Sequence, residues 1–285
     1  MIKLICTFPP YPPFGIGKRP EVFYFRKSQD VLNKEWCHCL GDEMEELRKL
    51  HNNCKRKLIL DWVHPGSFVL DCGCGRGGDW WKWRAVRARV AAIDPDPESL
   101  KEAEDRALEM NFGVWFLGQG DIRHAAFVGP FDVVCYNFSL HYIFEDEKTF
   151  VESMRAIKVA VSPGGLLIGI VPEKARAESM VDEHGRFVDT LGNEFQMCGN
   201  KLKVRLADGP FYADGPKEEP LLDGSVLIQN LKNLGFDKLV WEPMLPSPNG
   251  LVSDVYTKFV FRNSRDVVLD RTGHRHVPGS GSRTF

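Results

Sequence analysis

No apolar run in this 285-residue chain approaches the roughly 20 residues that a membrane-spanning helix needs. A transmembrane anchor is therefore not expected. The amino terminus carries one lysine, Lys3, and a very short apolar run before Pro9-Pro10, which is not the pattern of a secretory leader. Pairs of the C-x-x-C type repeated at zinc spacing are also missing. The 8 cysteines are scattered, with Cys37-His38-Cys39 and Cys72-Gly73-Cys74 as the close pairs. That usage suits free thiols in a reducing compartment and excludes an obvious disulfide or zinc framework. An excess of basic charge is lacking as well. The formal net charge of −2 implies no broadly cationic face for long nucleic acid, although a local patch for a short or end-on ligand stays compatible with it. There are no internal repeats.

What is present is a composition of 43% hydrophobic and 27% charged residues, enough for one globular domain with a sizeable core and a smaller lobe. Residues 1–41 read as an amino-terminal arm, because the run Phe8-Pro9-Pro10-Tyr11-Pro12-Pro13-Phe14 prevents regular helix or central strand. A helix is expected over 42–62, with Glu43, Glu45 and Glu46 early and Lys55, Arg56 and Lys57 late, in the order that suits a helix dipole. Strands at 67–71, 89–94, 114–118, 131–137 and 165–171 then alternate with helices at 79–87, 97–110 and 146–160. This alternation predicts a parallel, doubly wound α/β sheet. Between about 175 and 222 the pattern breaks into short alternating runs, 194–197 and 201–206, which predict an inserted antiparallel lobe. A helix near 223–234 and strands at 238–243 and 255–262 follow, the last two forming a closing hairpin. The polar tail, 263–285, reads as disordered, so the domain is expected over 42–262.

The segment Val69-Leu70-Asp71-Cys72-Gly73-Cys74-Gly75-Arg76-Gly77-Gly78-Asp79 runs from an apolar strand through a glycine turn into a helix. Glycines let the backbone take positive φ and approach a ligand closely, and the helix start offers N–H groups and a positive dipole end. Gly73, Gly75 and Gly78 satisfy G-x-G-x-x-G, the dinucleotide fingerprint. Asp71 opposes that reading, because a carboxylate just before the glycines is unfavourable beside a pyrophosphate. It favours a cationic ligand such as S-adenosylmethionine, whose sulfonium and ammonium are both positive.

In a doubly wound sheet the ligand lies beyond the carboxyl ends of the strands. Asp94 ends the second strand, where an acid can accept from ribose hydroxyls. Asp121 follows the third, within the role of an acceptor for an adenine amino group. The fourth runs into Asn137-Phe138-Ser139-Leu140-His141-Tyr142. Trp80, Trp81 and Trp83 read as core packing.

From about Arg48 to Arg262 the chain resembles the messenger-RNA cap (guanine-N7) methyltransferases. The glycine turn with Arg76 and Lys82 looks like that family's first motif. Arg48-Lys49-Leu50-His51-Asn52-Asn53-Cys54-Lys55 looks like its Asn-rich helix, and Asn137-Phe138-Ser139-Leu140-His141-Tyr142 is similar to its Gln-Phe-x-x-His-Tyr segment. Tyr256-Thr257-Lys258-Phe259-Val260-Phe261 matches its tyrosine-led last strand, and Glu219 falls where it keeps a cap-binding glutamate. The resemblance implies a Rossmann-like class I methyltransferase with a mainly parallel seven-stranded sheet. It implies that Lys55, Asp71, Gly73, Gly75, Asp94, Asp121, Asn137 and Tyr142 hold S-adenosylmethionine, Lys55 through the carboxylate. Asn52, Arg76, Lys82, Arg106, Phe138, His141, Glu219 and Tyr256 would hold the cap. Glu219 suits the two donors of guanine, Phe138 or Tyr256 suits its flat face, and the three cations suit the triphosphate.

The implied reaction is methylation of N7 of the 5′-terminal guanosine of capped mRNA. N7 carries a lone pair and no proton, so no acid or base catalyst is expected and Asn52, His141, Glu219 and Tyr256 act by positioning. No metal is implied. Partners would be the capped 5′ end of mRNA and, as in some poxviral relatives, a stimulatory subunit or other capping enzymes, with no membrane. The location would be nuclear for a cellular chain and a cytoplasmic replication site for a viral one. The chain departs from the family pattern in places. Asn137 is one methylene shorter than the usual glutamine. His51 and Asn53 flank Asn52 in place of asparagine and tryptophan, and Arg76 stands where lysine is common. A Lys-x-Asp-Gly nucleotidyl-transfer motif is absent, so the chain is expected to methylate caps rather than make them. The alternatives are a class I methyltransferase with a different substrate and an NAD(P)-dependent oxidoreductase.

Overall fold

The computed structural model describes residues 42–125, 129–206 and 215–264. The expected arm, the tail beyond Ser264 and two short internal segments lie outside the described residues. Helix α1, Asp42–Trp62, precedes the alternating run. That run is β1 (Phe68–Cys72), α2 (Trp80–Ala85), β2 (Arg89–Asp94), α3 (Pro97–Glu109), β3 (Val114–Gln119), α4 (Ile122–Ala125), β4 (Phe131–Asn137), α5 (Glu147–Ala160) and β5 (Val161–Pro172). After the insertion come α7 (Gly224–Asn233), β10 (Phe236–Pro243) and β11 (Tyr256–Asn263).

These strands form one seven-stranded sheet in the order β3-β2-β1-β4-β5-β11-β10. The pairs among β1 to β5 are parallel, whereas β11 runs antiparallel to both β5 and β10. The expected closing hairpin is thus present. Strand order reverses between β1 and β4, which opens the crevice at their carboxyl ends where ligands bind in this topology.

Alternation along the strands assigns the side chains to two layers. Val69 and Leu70 are both fully buried, yet Val69 packs with Ile59, Trp80 and Trp83 while Leu70 packs with Val134, Leu167 and Phe259. Each such aliphatic side chain contributes about 1.5–3 kcal/mol of burial, and strands covered on both faces read as continuous apolar runs. Trp80 and Trp83 are wholly buried, while Trp81 is exposed beneath the Arg84 guanidinium. Helix α3 starts where it does because Asp96 accepts from the backbone N–H groups of Glu98 and Ser99, with Pro97 in the first turn.

The insertion holds more structure than its sequence pattern suggests. Helix α6 (Lys174–Met180) leads into an antiparallel sheet β6-β7-β8-β9, formed by Arg186–Val188, Glu194–Cys198, Lys201–Arg205 and Lys217–Pro220. The sequence reading marks only β7 and β8. Strand β6 is 3 residues long, and β9 is Lys-Glu-Glu-Pro, a poor strand former. Both exist because a partner strand supplies their hydrogen bonds. The inner face of this lobe buries Phe195, Leu202 and Val204 against Leu221, Val252 and Val255.

No helix among the described residues is long and apolar enough to cross a membrane. The described cysteines, Cys54, Cys72, Cys74, Cys135 and Cys198, are free thiols.

Candidate functional site

The glycine turn after β1 takes its shape from three left-handed residues, Gly73 (φ 73°), Gly75 (φ 52°) and Gly77 (φ 70°). A Cβ on Gly73 would stand 2.5 Å from the Ser139 Cβ, and one on Gly77 would stand 2.1 Å from the Trp80 indole nitrogen. Ser139 is held there by donating to the Cys72 carbonyl at 2.6 Å. A Cβ on Gly78 would meet nothing within 4 Å, so Gly78 does not serve the close helix–strand packing that the third glycine of the dinucleotide fingerprint provides. The Gly75 N–H, which a pyrophosphate would require, donates to the Asp94 carboxylate at 2.7 Å. Helix α2 is also only 6 residues long. Its start is therefore a weaker dipole than the sequence pattern implies, and its N-cap residue carries a carboxylate that accepts from none of its N–H groups.

That carboxylate is Asp79, which the sequence reading leaves out. It is 7% exposed. Lys55 Nζ and Lys82 Nζ each lie 2.7 Å from Asp79 Oδ1, and Asn137 Nδ2 donates to Oδ2 at 2.9 Å. Burial alone would raise its pKa, but the charges and hydrogen bonds of the two lysines outweigh burial and hold it below the usual carboxylate range. The signal available in sequence was an acid closing a glycine turn just before the buried Trp80 and Trp83.

Asp79 changes how several expected residues read. Lys82 is 6% exposed, and its ammonium donates to Asp79 Oδ1 at 2.7 Å, Asn52 Oδ1 at 2.9 Å and the Gly78 carbonyl at 3.1 Å. An ammonium has three N–H donors, so Lys82 has none left for a phosphate. It is a tie between α1 and the glycine turn, and it orients Asn52. Arg76, which is exposed, pairs with Glu102 of α3 at 3.3 Å. Arg106 lies one helical turn beyond Glu102 on the same face. Of the three expected cations, Lys82 is enclosed by Asp79, Asn52 and Gly78, Arg76 is paired with Glu102, and Arg106 lies on α3.

The residues expected to hold a cofactor gather around the same crevice. Asp71 is 2% exposed, and its carboxylate accepts from the Trp83 indole N–H at 2.8 Å. Burial, and then the Asp79 charge, push its pKa up to about 7 against the opposing pull of Trp83, Lys55 and Lys82. Its carboxylate faces Trp83 of α2. Asp94 accepts from the backbone of Gly75 and Asp96. Its pKa is raised by burial, which those two bonds only partly offset. Asp121 is bound by the Arg123 side chain at 2.6–3.1 Å. Burial would raise its pKa, but the Arg123 bonds prevail and lower it. Asn137 keeps a buried side-chain oxygen with no hydrogen-bond partner. Lys55, bonded to Asp79, also lies 5.9 Å from the centre of the Phe138 ring.

Across the crevice, His141 and Tyr142 lie on the 3-10 turn Leu140–Phe144, which follows β4. His141 is 2% exposed, yet neither ring nitrogen forms a hydrogen bond. Its Nε2 lies 3.5 Å from the Glu219 carboxylate. Tyr142 OH donates to Glu219 Oε1 at 3.4 Å. Glu219 arrives from β9 of the inserted lobe. It pairs with Leu202 while Glu218 pairs with Lys203, and strand alternation sends Glu219 inward and leaves Glu218 exposed. Phe138 and Tyr256 meet edge to face at 4.9 Å, and Phe138 holds a left-handed φ of 64°. Left-handed backbone is unusual for an aromatic residue and concentrates at functional sites.

A glycine turn at the switch point of a seven-stranded sheet whose last strand is antiparallel defines the class I methyltransferase fold. Solved structures agree on that fold. The chain superimposes on CalS10, an amino pentose methyltransferase from Micromonospora echinaspora, with a TM-score of 0.55 at 17% identity, covering 80% of this chain and 100% of that one. A methyltransferase from Clostridium acetobutylicum gives 0.53 at 15% identity, covering 75% and 91%.

The model of the mRNA (guanine-N(7))-methyltransferase domain matches residues 41–202, more than half of the chain, and the chain belongs to that family. Among curated relatives, mRNA cap guanine-N(7) methyltransferase 1 of Oryza sativa subsp. japonica is 29% identical over 142 residues, 45% of this chain and 38% of its own length. The Candida glabrata mRNA cap guanine-N(7) methyltransferase is 31% identical over 185 residues, 60% of this chain and 43% of its own length. The matches thus span well under half of these relatives.

Proposed function

We propose that this chain transfers a methyl group from S-adenosylmethionine to N7 of the guanosine cap at the 5′ end of mRNA. The observation that carries the reading is His141, a buried ring with two unsatisfied nitrogens beside the inward carboxylate of Glu219. Unpaired buried polar atoms are costly. The pair fits a ligand that offers both acceptors and donors on one flat edge, as guanine does with O6, N1–H and the N2 amino group. Family membership supports the same substrate.

The cofactor side is compatible with S-adenosylmethionine. Buried Asn137 Oδ1 has no donor, which an ammonium would supply. The turn at Gly73 must stay without a side chain, because a Cβ there would collide with the Ser139 side chain. Lys55, Gly73, Gly75, Asp94, Asp121, Asn137 and Tyr142 would hold it, with Asp71 acting from behind through its field. When bound, this group supplies an electrophilic methyl on a sulfonium. The chain's own residues then orient the acceptor. Glu219 accepts from the guanine donors, His141 donates to its edge, and Phe138 and Tyr256 flank its face. Arg76 and Arg106 face the phosphates, and Asn52 is aimed by Lys82. With no proton on N7, alignment and electrostatic preorganisation suffice.

The test is methyl transfer from radiolabelled S-adenosylmethionine to GpppG- or GpppA-ended RNA with the methylated position mapped. Product at N7, competed by free cap analogue and severely reduced in folded Asn52→Ala, His141→Ala, Glu219→Ala and Tyr256→Ala, is the expected result. Near-parental activity in all four variants would refute the cap assignment.

A further inference from the structure

Three segments remote in the chain bring aromatic rings to one corner of the crevice. His51 of α1 lies 5.1 Å from Phe138, with the rings inclined by 30°, and 5.5 Å from Tyr256 at 82°. Phe138 and Tyr256 complete the triangle at 4.9 Å. His51 does not lie there by packing alone. Its Nε2 is 2.8 Å from Ser253 Oγ, and Ser253 is fully buried on the 3-10 turn Val252–Val255 that leads directly into Tyr256. One histidine therefore joins α1 to the entry of β11 and contacts both rings whose faces the substrate would meet. The strained backbone of Phe138 is fixed in turn by its N–H donating to the Ile170 carbonyl at 2.7 Å.

We propose that His51 is a positioning residue for the acceptor base: pinned by Ser253, it sets the tilt of Phe138 and Tyr256 and forms the third wall of an aromatic corner for a planar purine. This rests on the cap reading and names a residue at a position where the chain departs from the family's asparagine. The chemistry favours a neutral ring at this place. Methylation of N7 leaves positive charge on the guanine, which a neutral aromatic wall accommodates and an imidazolium would repel. Burial, and then the charge of Lys55 one turn away on the same helix, lower the His51 pKa to about 4. The groups that face His51 from the other packed elements are the neutral hydroxyl of Ser253 and the rings of Phe138 and Tyr256. The carboxylate of Asp254, on the same turn as Ser253, accepts from the backbone of Asn249 and Gly250.

The experiment measures kcat and KM separately for capped RNA and for S-adenosylmethionine in the parent, His51→Asn, His51→Phe and Ser253→Ala. His51→Asn is expected to raise KM for capped RNA about tenfold, the loss of roughly 1.4 kcal/mol of binding, with KM for S-adenosylmethionine and kcat within about twofold. His51→Phe, which keeps a ring, restores most of the affinity for capped RNA, and Ser253→Ala falls between. Unchanged KM for capped RNA in His51→Asn overturns the proposal while leaving the cap reading intact. So does an equal rise in both KM values, the signature of general loosening. A parent protein without methyl transfer to capped RNA overturns both.

Discussion

Replacing Asp79 by asparagine removes the one carboxylate that Lys55 and Lys82 share and keeps the side-chain shape. The amide oxygen, placed at Oδ1, can still accept from both lysines but without the negative charge, and the NH2 group then opposes the Asn137 amide donor that faces Oδ2. Lys82 is the more exposed to harm, since burial already lowers its pKa and the Asp79 charge only partly offsets that. Removing one partner of a buried ion pair costs about 3–5 kcal/mol. Lys55, with 16% of its side chain exposed, regains some hydration, so we expect the lower half of that range. For a domain of this size the corresponding fall in Tm is on the order of 6–15 °C. Denaturant unfolding at pH 7, followed by tryptophan fluorescence, reads the change directly, because Trp83 and Trp80 lie beside the network. Lys82→Met provides the control. It leaves Asp79 paired with Lys55 and is expected to cost less, and adding Asp79→Asn on that background should cost about 0.5–3 kcal/mol less than in the parent. An Asp79→Asn variant within about 1 kcal/mol of the parent, or fully additive with Lys82→Met, would refute the claim that this carboxylate organises the site.

Three further outcomes follow from the geometry. Because the folded-state pKa of His51 lies below its unfolded value of 6.5, its contribution is complete above pH 6.5 and is lost as pH falls towards 4. The full loss is about 3 kcal/mol, seen as a flatter acid branch of the stability profile in His51→Asn than in the parent. Asp71 works in the opposite sense, its raised pKa favouring the folded state at low pH, so the parent-minus-variant difference isolates His51. Glu219→Ala should reduce methyl transfer to capped RNA by about 100-fold with little change in Tm, whereas Glu218→Ala on the outer face should leave both unchanged; equal effects would contradict the strand register. Gly73→Ala should abolish S-adenosylmethionine binding by equilibrium dialysis, and Ser139→Ala should not rescue it, since the obstructing atom is the Ser139 Cβ.

Strands β2 and β4 match their sequence-expected bounds because apolar runs closed by a polar residue or a turn mark themselves locally. The glycine turn, the acids at the strand ends and the closing hairpin were legible for the same reason. Strands β6 and β9 were not, since neither has a composition that favours a strand without its neighbour. The enclosure of Lys82 by Asp79, Asn52 and the Gly78 carbonyl was not legible either, because a lysine's contacts depend on which acceptors the fold brings to it.

The sequence by itself determined the order of elements, the turn that must lack side chains, and the residues delivered to the carboxyl edge of the sheet. These depend on periodicity and backbone freedom, which act over a few neighbouring residues. The tertiary structure alone decided which charges cancel and which polar groups are left unpaired. It joined Asp79 to Lys55, Lys82 and Asn137, chose Glu219 over Glu218, and tied His51 to Ser253 across 202 residues. Burial sets the energy of a charge or an unpaired polar atom, and burial is a property of the packed chain rather than of any segment of it.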